Sequence, residues 1–159
     1  MTIAQDQLPQ VDKSVRDAEA DLEQLADLIL DLYRWERSMV RRLESDPEGF
    51  VFAAEGHTCG ICVRSISGDM WYDTHGMRCV DCNDAYRAKI IPAYVVKGSR
   101  DKGYITKAYL SVESGLQDRQ IKRLVAKGEL SARIIKHNLE PDTYLFLRTE
   151  NPSIVQYFS

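Results

Sequence analysis

At 159 residues, 28% of them charged and 44% hydrophobic, the chain is long enough for one domain or two small modules of ordinary globular composition. No run approaches the ~18 apolar residues a membrane span requires, and the start, MTIAQDQLPQVDKS, lacks the basic flank and apolar stretch of a signal peptide, so a reducing cytoplasm is the expected setting. The net charge of −3 conceals an asymmetry: residues 1–50 carry six Lys/Arg against twelve Asp/Glu, and residues 86–139 carry twelve against four, which predicts a rear half suited to a polyanion.

Residues 1–13 read as a flexible tail. From Ser14 a long amphipathic helix is expected over 14–46, opened by Ser14 with Asp17 as a capping-box-like pair and stopped by Pro47 and Gly49. Its apolar residues alternate steps of three and four: Val15, Ala18, Leu22, Leu25, Ile29, Leu32, then Met39 and Leu43, interrupted only by Glu36. Such a 3.5-residue repeat is a coiled-coil signal. Leu28, Leu30, Tyr33, Trp35 and Val40 widen the stripe beyond a two-stranded seam, so packing within the chain stands beside a homodimer or a protein partner through residues 14–46.

All four cysteines follow between 59 and 82 with the spacing Cys-x2-Cys-x16-Cys-x2-Cys. A reducing compartment disfavours disulfides. A thioredoxin-type pair needs a helix launched from its first cysteine to lower the pKa, and here strand-like sequence follows Cys62 instead. The spacing predicts one Zn2+ held by Cys59, Cys62, Cys79 and Cys82 in a module spanning 56–92. Two short strands, VRSIS and MWYDT, are expected either side of a Gly68-Asp69 turn, with a second turn at Asp73 to Gly76 and a helix beginning on the second cysteine pair. That order is similar to the treble-clef zinc finger. Four thiolates close a tetrahedron, so the metal is expected to be structural; a module of this size cannot bury enough surface to stand without it. His57, His75 and His137 are not followed by the Glu of the zinc deaminases' His-x-Glu element, so no catalytic site is expected.

NDAYRAKIIPAYVV begins helical and is expected to stop at Pro92. After the charged linker KGSRDKG, residues 104–150 read as helix, turn, helix and β-hairpin, and 151–159 as a tail. Ile121, Leu124 and Val125 fall at i, i+3 and i+4 and form the inner face of the second helix, with Gly128 as its left-handed C-cap. Tyr104, Tyr109, Tyr144 and Phe146 are assigned to the core, because no aromatic pair sits among the basic residues. GLQDRQIKRLVAKGELSAR resembles the winged helix-turn-helix of the excisionase and mercury-resistance-regulator families. The resemblance covers about residues 104–137 and rests on Gly115, Leu116, the Ile121 face and Gly128-Glu-Leu130-x-Ala132. It implies a second helix that enters the DNA major groove and a wing that contacts backbone or minor groove. Gln117 stands where those families commonly place Ser or Thr, so Asp118 is the better N-cap candidate, and Ser131 stands where proline is frequent.

The fold class expected is therefore α+β: a long helix, a four-cysteine zinc finger and a winged helix-turn-helix. The expected function is non-enzymatic binding of double-stranded DNA by a small bacterial, phage or mobile-element regulator. Its contacts come from Arg119, Gln120, Lys122, Arg123 and Lys127 on the second helix and from Lys136 and Asn138 at the wing. The alternative is a zinc-stapled adaptor whose long helix docks a protein partner and whose basic helix binds RNA or nothing.

Overall fold

The computed structural model describes residues 8–98 and 103–159. The fold is α+β, and the chain divides into two compact units after Pro47.

The first unit is one helix, α1 (Leu8–Ser45). It begins six residues before Ser14, so part of the expected tail is helical and the Ser14–Asp17 pair lies inside the helix. Pro9 is no obstacle, because an N–H missing from a first turn has no intrahelical partner to lose. Along α1 the apolar residues Val15, Leu22, Leu25, Ile29, Tyr33 and Val40 are 50–66% exposed, whereas Met39 is buried. Residues 1–7 of the expected tail and 99–102 of the linker lie outside the described residues.

The second unit opens with a strand the sequence reading did not include, β1 (Phe50–Thr58). Phe50, Phe52 and Ala54 are buried and their neighbours exposed, the period-two pattern of a half-buried strand. β1 pairs antiparallel with β2 (Ser65–Asp73), with a bulge between Ala54 and His57 where Gly56 has a φ of 67°. The turn expected at Gly68-Asp69 does not form. β2 runs straight through it because Gly68 pairs with Ala54 and Asp69 with Ala53. The second expected turn does form: β2 returns as β3 (Gly76–Cys79), and Asp73 Oδ1 accepts the His75 N–H at 2.8 Å. Helix α2 (Val80–Arg87) starts on the second cysteine pair, and a short α3 (Ala93–Lys97) follows Pro92.

The rear half forms a second three-stranded sheet, order β4-β6-β5, from β4 (Tyr104–Thr106), β5 (Arg133–Ile135) and β6 (Thr143–Leu147). Between β4 and β5 lie α4 (Lys107–Ser114) and α5 (Asp118–Ala126). Gly115 ends α4 with a φ of 73°, and Gly128, with a φ of 77°, follows the C-cap Lys127 of α5; both left-handed positions suit a residue without Cβ. The N-cap of α5 is Gln117, not Asp118. Gln120 supplies what a Ser or Thr cap would have shared, its Oε1 accepting the Gln117 N–H at 2.8 Å. Ile105, Leu110, Ile121, Leu130, Phe146 and Ile154 make the core, with Leu124, Val125 and Tyr144 packed on its edge. Tyr109 is not core: it is half exposed and meets Phe158 edge-on.

Residues 151–159 are not a loose tail. Asn151 is buried and fully bonded, its Nδ2 donating to the Ser131 and Leu147 carbonyls and its Oδ1 accepting the Ser131 N–H. Ile154 enters the core, and the Ser159 N–H donates to the Glu113 carbonyl at 2.9 Å.

Candidate metal centre and nucleic-acid interface

The two cysteine pairs arrive by different local routes. Cys59–Arg64 is the tight link between β1 and β2, closed by Cys59 N–H to the Arg64 carbonyl at 2.9 Å and Val63 N–H to the Cys59 carbonyl at 3.1 Å. Cys79 ends β3 and is the N-cap of α2, so Cys82 lies in the first turn of that helix. The Gly60 N–H donates to the Met77 carbonyl at 3.0 Å, which pins the first pair over the second.

All four thiols are free and buried, and their sulfurs lie within 4.8 Å of one another. The Cys62 and Cys79 sulfurs are 3.9 Å apart. A tetrahedron with metal–sulfur bonds of ~2.3 Å has edges near ~3.8 Å, so the donor set fits one metal ion. Backbone N–H groups already point at the sulfurs: Cys79 N–H to Cys59 Sγ at 3.2 Å, and Ile61 N–H to Cys59 Sγ and Cys82 N–H to Cys79 Sγ at 3.4 Å each. Such donors stabilise thiolate charge. Hydrogen bonds from Cys62, then Cys79 and Cys82, hold the Cys59 thiol far below its ordinary pKa. Donation to Cys59 pushes Cys79 and Cys82 far up. Four buried sulfurs in mutual contact cannot all ionise unaided, and a divalent cation at their centre removes that conflict.

The histidines stay apart from this cluster, which among the described residues consists of the cysteines alone. His57 packs edge-on to Phe52, and His75 sits exposed in the β2–β3 turn. His137 lies at the base of the β5–β6 hairpin, its Nδ1 2.7 Å from Asp81 Oδ2 and its Nε2 2.7 Å from Thr143 Oγ1.

Sequence reasoning missed the polar support around the site. Arg78, 4% exposed, sends Nη2 to Asp73 Oδ2 at 2.7 Å and Nε to the buried Asn83 Oδ1 at 3.0 Å, and its guanidinium lies over the Tyr86 ring. Burial alone would raise the Asp73 carboxyl; Arg78, the His75 N–H and the Trp71 indole outweigh it and hold the group below the usual carboxylate range. An arginine one residue before a Cys-x-x-Cys pair carries no local pattern that announces this role.

Polar bridges bind the cysteine module to the rear half. Tyr104 Oη donates to the Ile61 carbonyl at 2.9 Å, and burial keeps this phenol protonated by pushing its pKa up. Arg64 pairs with Glu140, His137 with Asp81, and Arg133 Nη1 donates to the Ile90 carbonyl at 3.1 Å. The two parts therefore belong to one compact unit.

On α5 the predicted contact residues Arg119, Gln120, Lys122 and Arg123 are all exposed, as are Lys127 at its end and Lys136 and Asn138 on the hairpin. Arg119, Arg123 and Lys127 follow at i, i+4 and i+8, a row on the helix face opposite the buried Ile121. Lys122 differs, because it is paired with Asp118 at 3.1 Å and Asp118 is also paired with Lys107. First Lys107 and then Lys122 hold the Asp118 carboxyl low. The hairpin tip carries Glu140 and Asp142 beside Lys136, so its local field is not basic. No helix among the described residues is long and apolar enough to cross a membrane. No protein-family model, curated protein or solved structure matches this chain.

Proposed function

We propose that this is a non-enzymatic DNA-binding protein, a small transcriptional or recombination regulator with one structural zinc. Residues 104–150 are read as a winged helix-turn-helix in which α5 enters the major groove and the β5–β6 hairpin is the wing. Zinc is the metal favoured by four thiolates with no open position, and free thiols suit a reducing cytoplasm. Helix α1 supplies the association surface.

The observation that carries the reading is the row Arg119, Arg123 and Lys127. These side chains are exposed, aligned and backed by a packed core, and Arg119 and Arg123 have no ion-pair partner among the described residues. Gln120 adds a side chain able to read a base edge, although its Oε1 is spent on the helix cap. Lys122 is the weaker contact because Asp118 already neutralises it. Lys136 and Asn138 are peripheral contacts on a tip of mixed charge.

The test compares wild type, Arg119→Ala and Arg123→Ala on selected and random duplexes across a salt series. Each lost phosphate contact lowers the logarithmic salt slope by about 0.9, whereas a lost base contact relaxes preference at one position. Wild-type binding without salt dependence, or variants identical to wild type in affinity, slope and preference, overturns the reading. Equal retention of single-stranded RNA would favour the adaptor alternative.

A further inference from the structure

The apolar residues of α1 lie bare on a solvated helix. At ~100° per residue, Val15, Leu22, Ile29, Tyr33 and Val40 fall within about 40° of one another, and all are 50–66% exposed. Along one border of that stripe, within about 40° of one another, run Glu19, Glu23, Leu30, Arg37 and Arg41, every one exposed. Their spacing is four, seven, seven and four residues, symmetric about Leu30, and the charge changes sign at the centre.

We infer that this face is covered by a second copy of the chain, with its α1 running antiparallel and crossing at Leu30. In an antiparallel pair the same border of each helix meets its own counterpart. Glu19 then faces Arg41 of the second copy, and Glu23 faces Arg37, each pair made twice by the two-fold symmetry. Leu30, half exposed and the one apolar residue on this border, meets Leu30 at the crossing. The stripe closes within two residues, about 3 Å, of that register: Ile29 lies near Tyr33 of the second copy and Leu22 near Val40. A parallel pair in register does the opposite. It sets this border against a different one, aligns the acidic early turns of both helices and brings Glu36 beside Glu36 in the seam.

This inference rests on the reading of α1 as an association surface and is tested without DNA, so its failure leaves the DNA reading standing, and the reverse. Two full-length variants are made: Glu19→Arg/Glu23→Arg, which turns the whole border basic, and Arg37→Glu/Arg41→Glu, which turns it acidic. All four sites are exposed, and unchanged helix content and metal stoichiometry check that each variant folds. Wild type is expected to be a dimer by light scattering. Each variant alone should dimerise at least about tenfold more weakly, and their equimolar mixture should recover wild-type affinity as a heterodimer in native mass spectrometry. The quadruple variant, with every pair reversed, should also recover. A monomeric wild type at micromolar concentration overturns the inference. So do two variants that dimerise as well alone as together, which would mean the borders do not meet.

Discussion

Replacing Arg78 with methionine removes a guanidinium that joins β3, the β2–β3 turn and α2 around the cysteine cluster while leaving its volume filled. Arg78 is 4% exposed and the Asp73 side chain 12%, so the pair belongs to the class for which loss of one partner costs about 3–5 kcal/mol. Asp73 keeps its bonds from the His75 N–H and Trp71 Nε1, which places the expected loss near the lower end, about 3 kcal/mol. The assay is urea unfolding at fixed free zinc, because bound metal shifts apparent stability by mass action. Asp73→Asn and the double variant complete a cycle whose coupling should reach about 1–3 kcal/mol. The pH dependence has a defined sign. A carboxyl held low in the folded state contributes stability above its unfolded pKa and loses it as pH falls through the folded value. Without Arg78 the folded value rises toward the unfolded one, so this contribution is already lost at neutral pH, and the stability gap between wild type and Arg78→Met should narrow as pH falls through the wild-type folded value. A loss below ~1 kcal/mol, within the range of an exposed pair, would refute the assignment of Arg78 as a buried support.

Protein purified without added zinc should carry about one equivalent per chain, and Cys79→Ser should release it and unfold the cysteine module, since structural zinc contributes roughly 10–16 kcal/mol in small fingers. A well-folded, metal-free wild type with two disulfides would be inconsistent with the free thiols described here. Asn151→Ala leaves the part-buried Ser131 N–H and carbonyl without their side-chain partner, while the Leu147 carbonyl keeps its backbone donors, and thermal unfolding at constant zinc should show a loss of about 1–3 kcal/mol. A loss near zero would mean the C-terminal segment is not docked as described.

What the sequence determined by itself was local and periodic. The Cys-x-x-Cys spacing named all four sulfurs of the cluster, because each pair is held by one tight turn or one helix start and needs little from the rest of the chain. The i, i+3, i+4 pattern placed Ile121, Leu124 and Val125 against the core, and Gly115 and Gly128 stood where the helices end, since both are properties of a single helix. β1 was legible in principle from the alternation of Phe50, Phe52 and Ala54. Without it, Gly68-Asp69 looked like a turn; cross-strand pairing overrode that local preference. Other features existed only after folding. Arg78, Asn83 and Asp73 meet because three elements converge; His137 reaches Asp81 across 56 residues and Tyr104 reaches Ile61 across 43. Residues so far apart leave no joint pattern in a single sequence, and a polar side chain that looks solvated there is buried only when its partner arrives. The same holds for Lys122: its charge was visible in the sequence, but the Asp118 carboxylate that it shares with Lys107 of α4 was decided by how α4 and α5 pack.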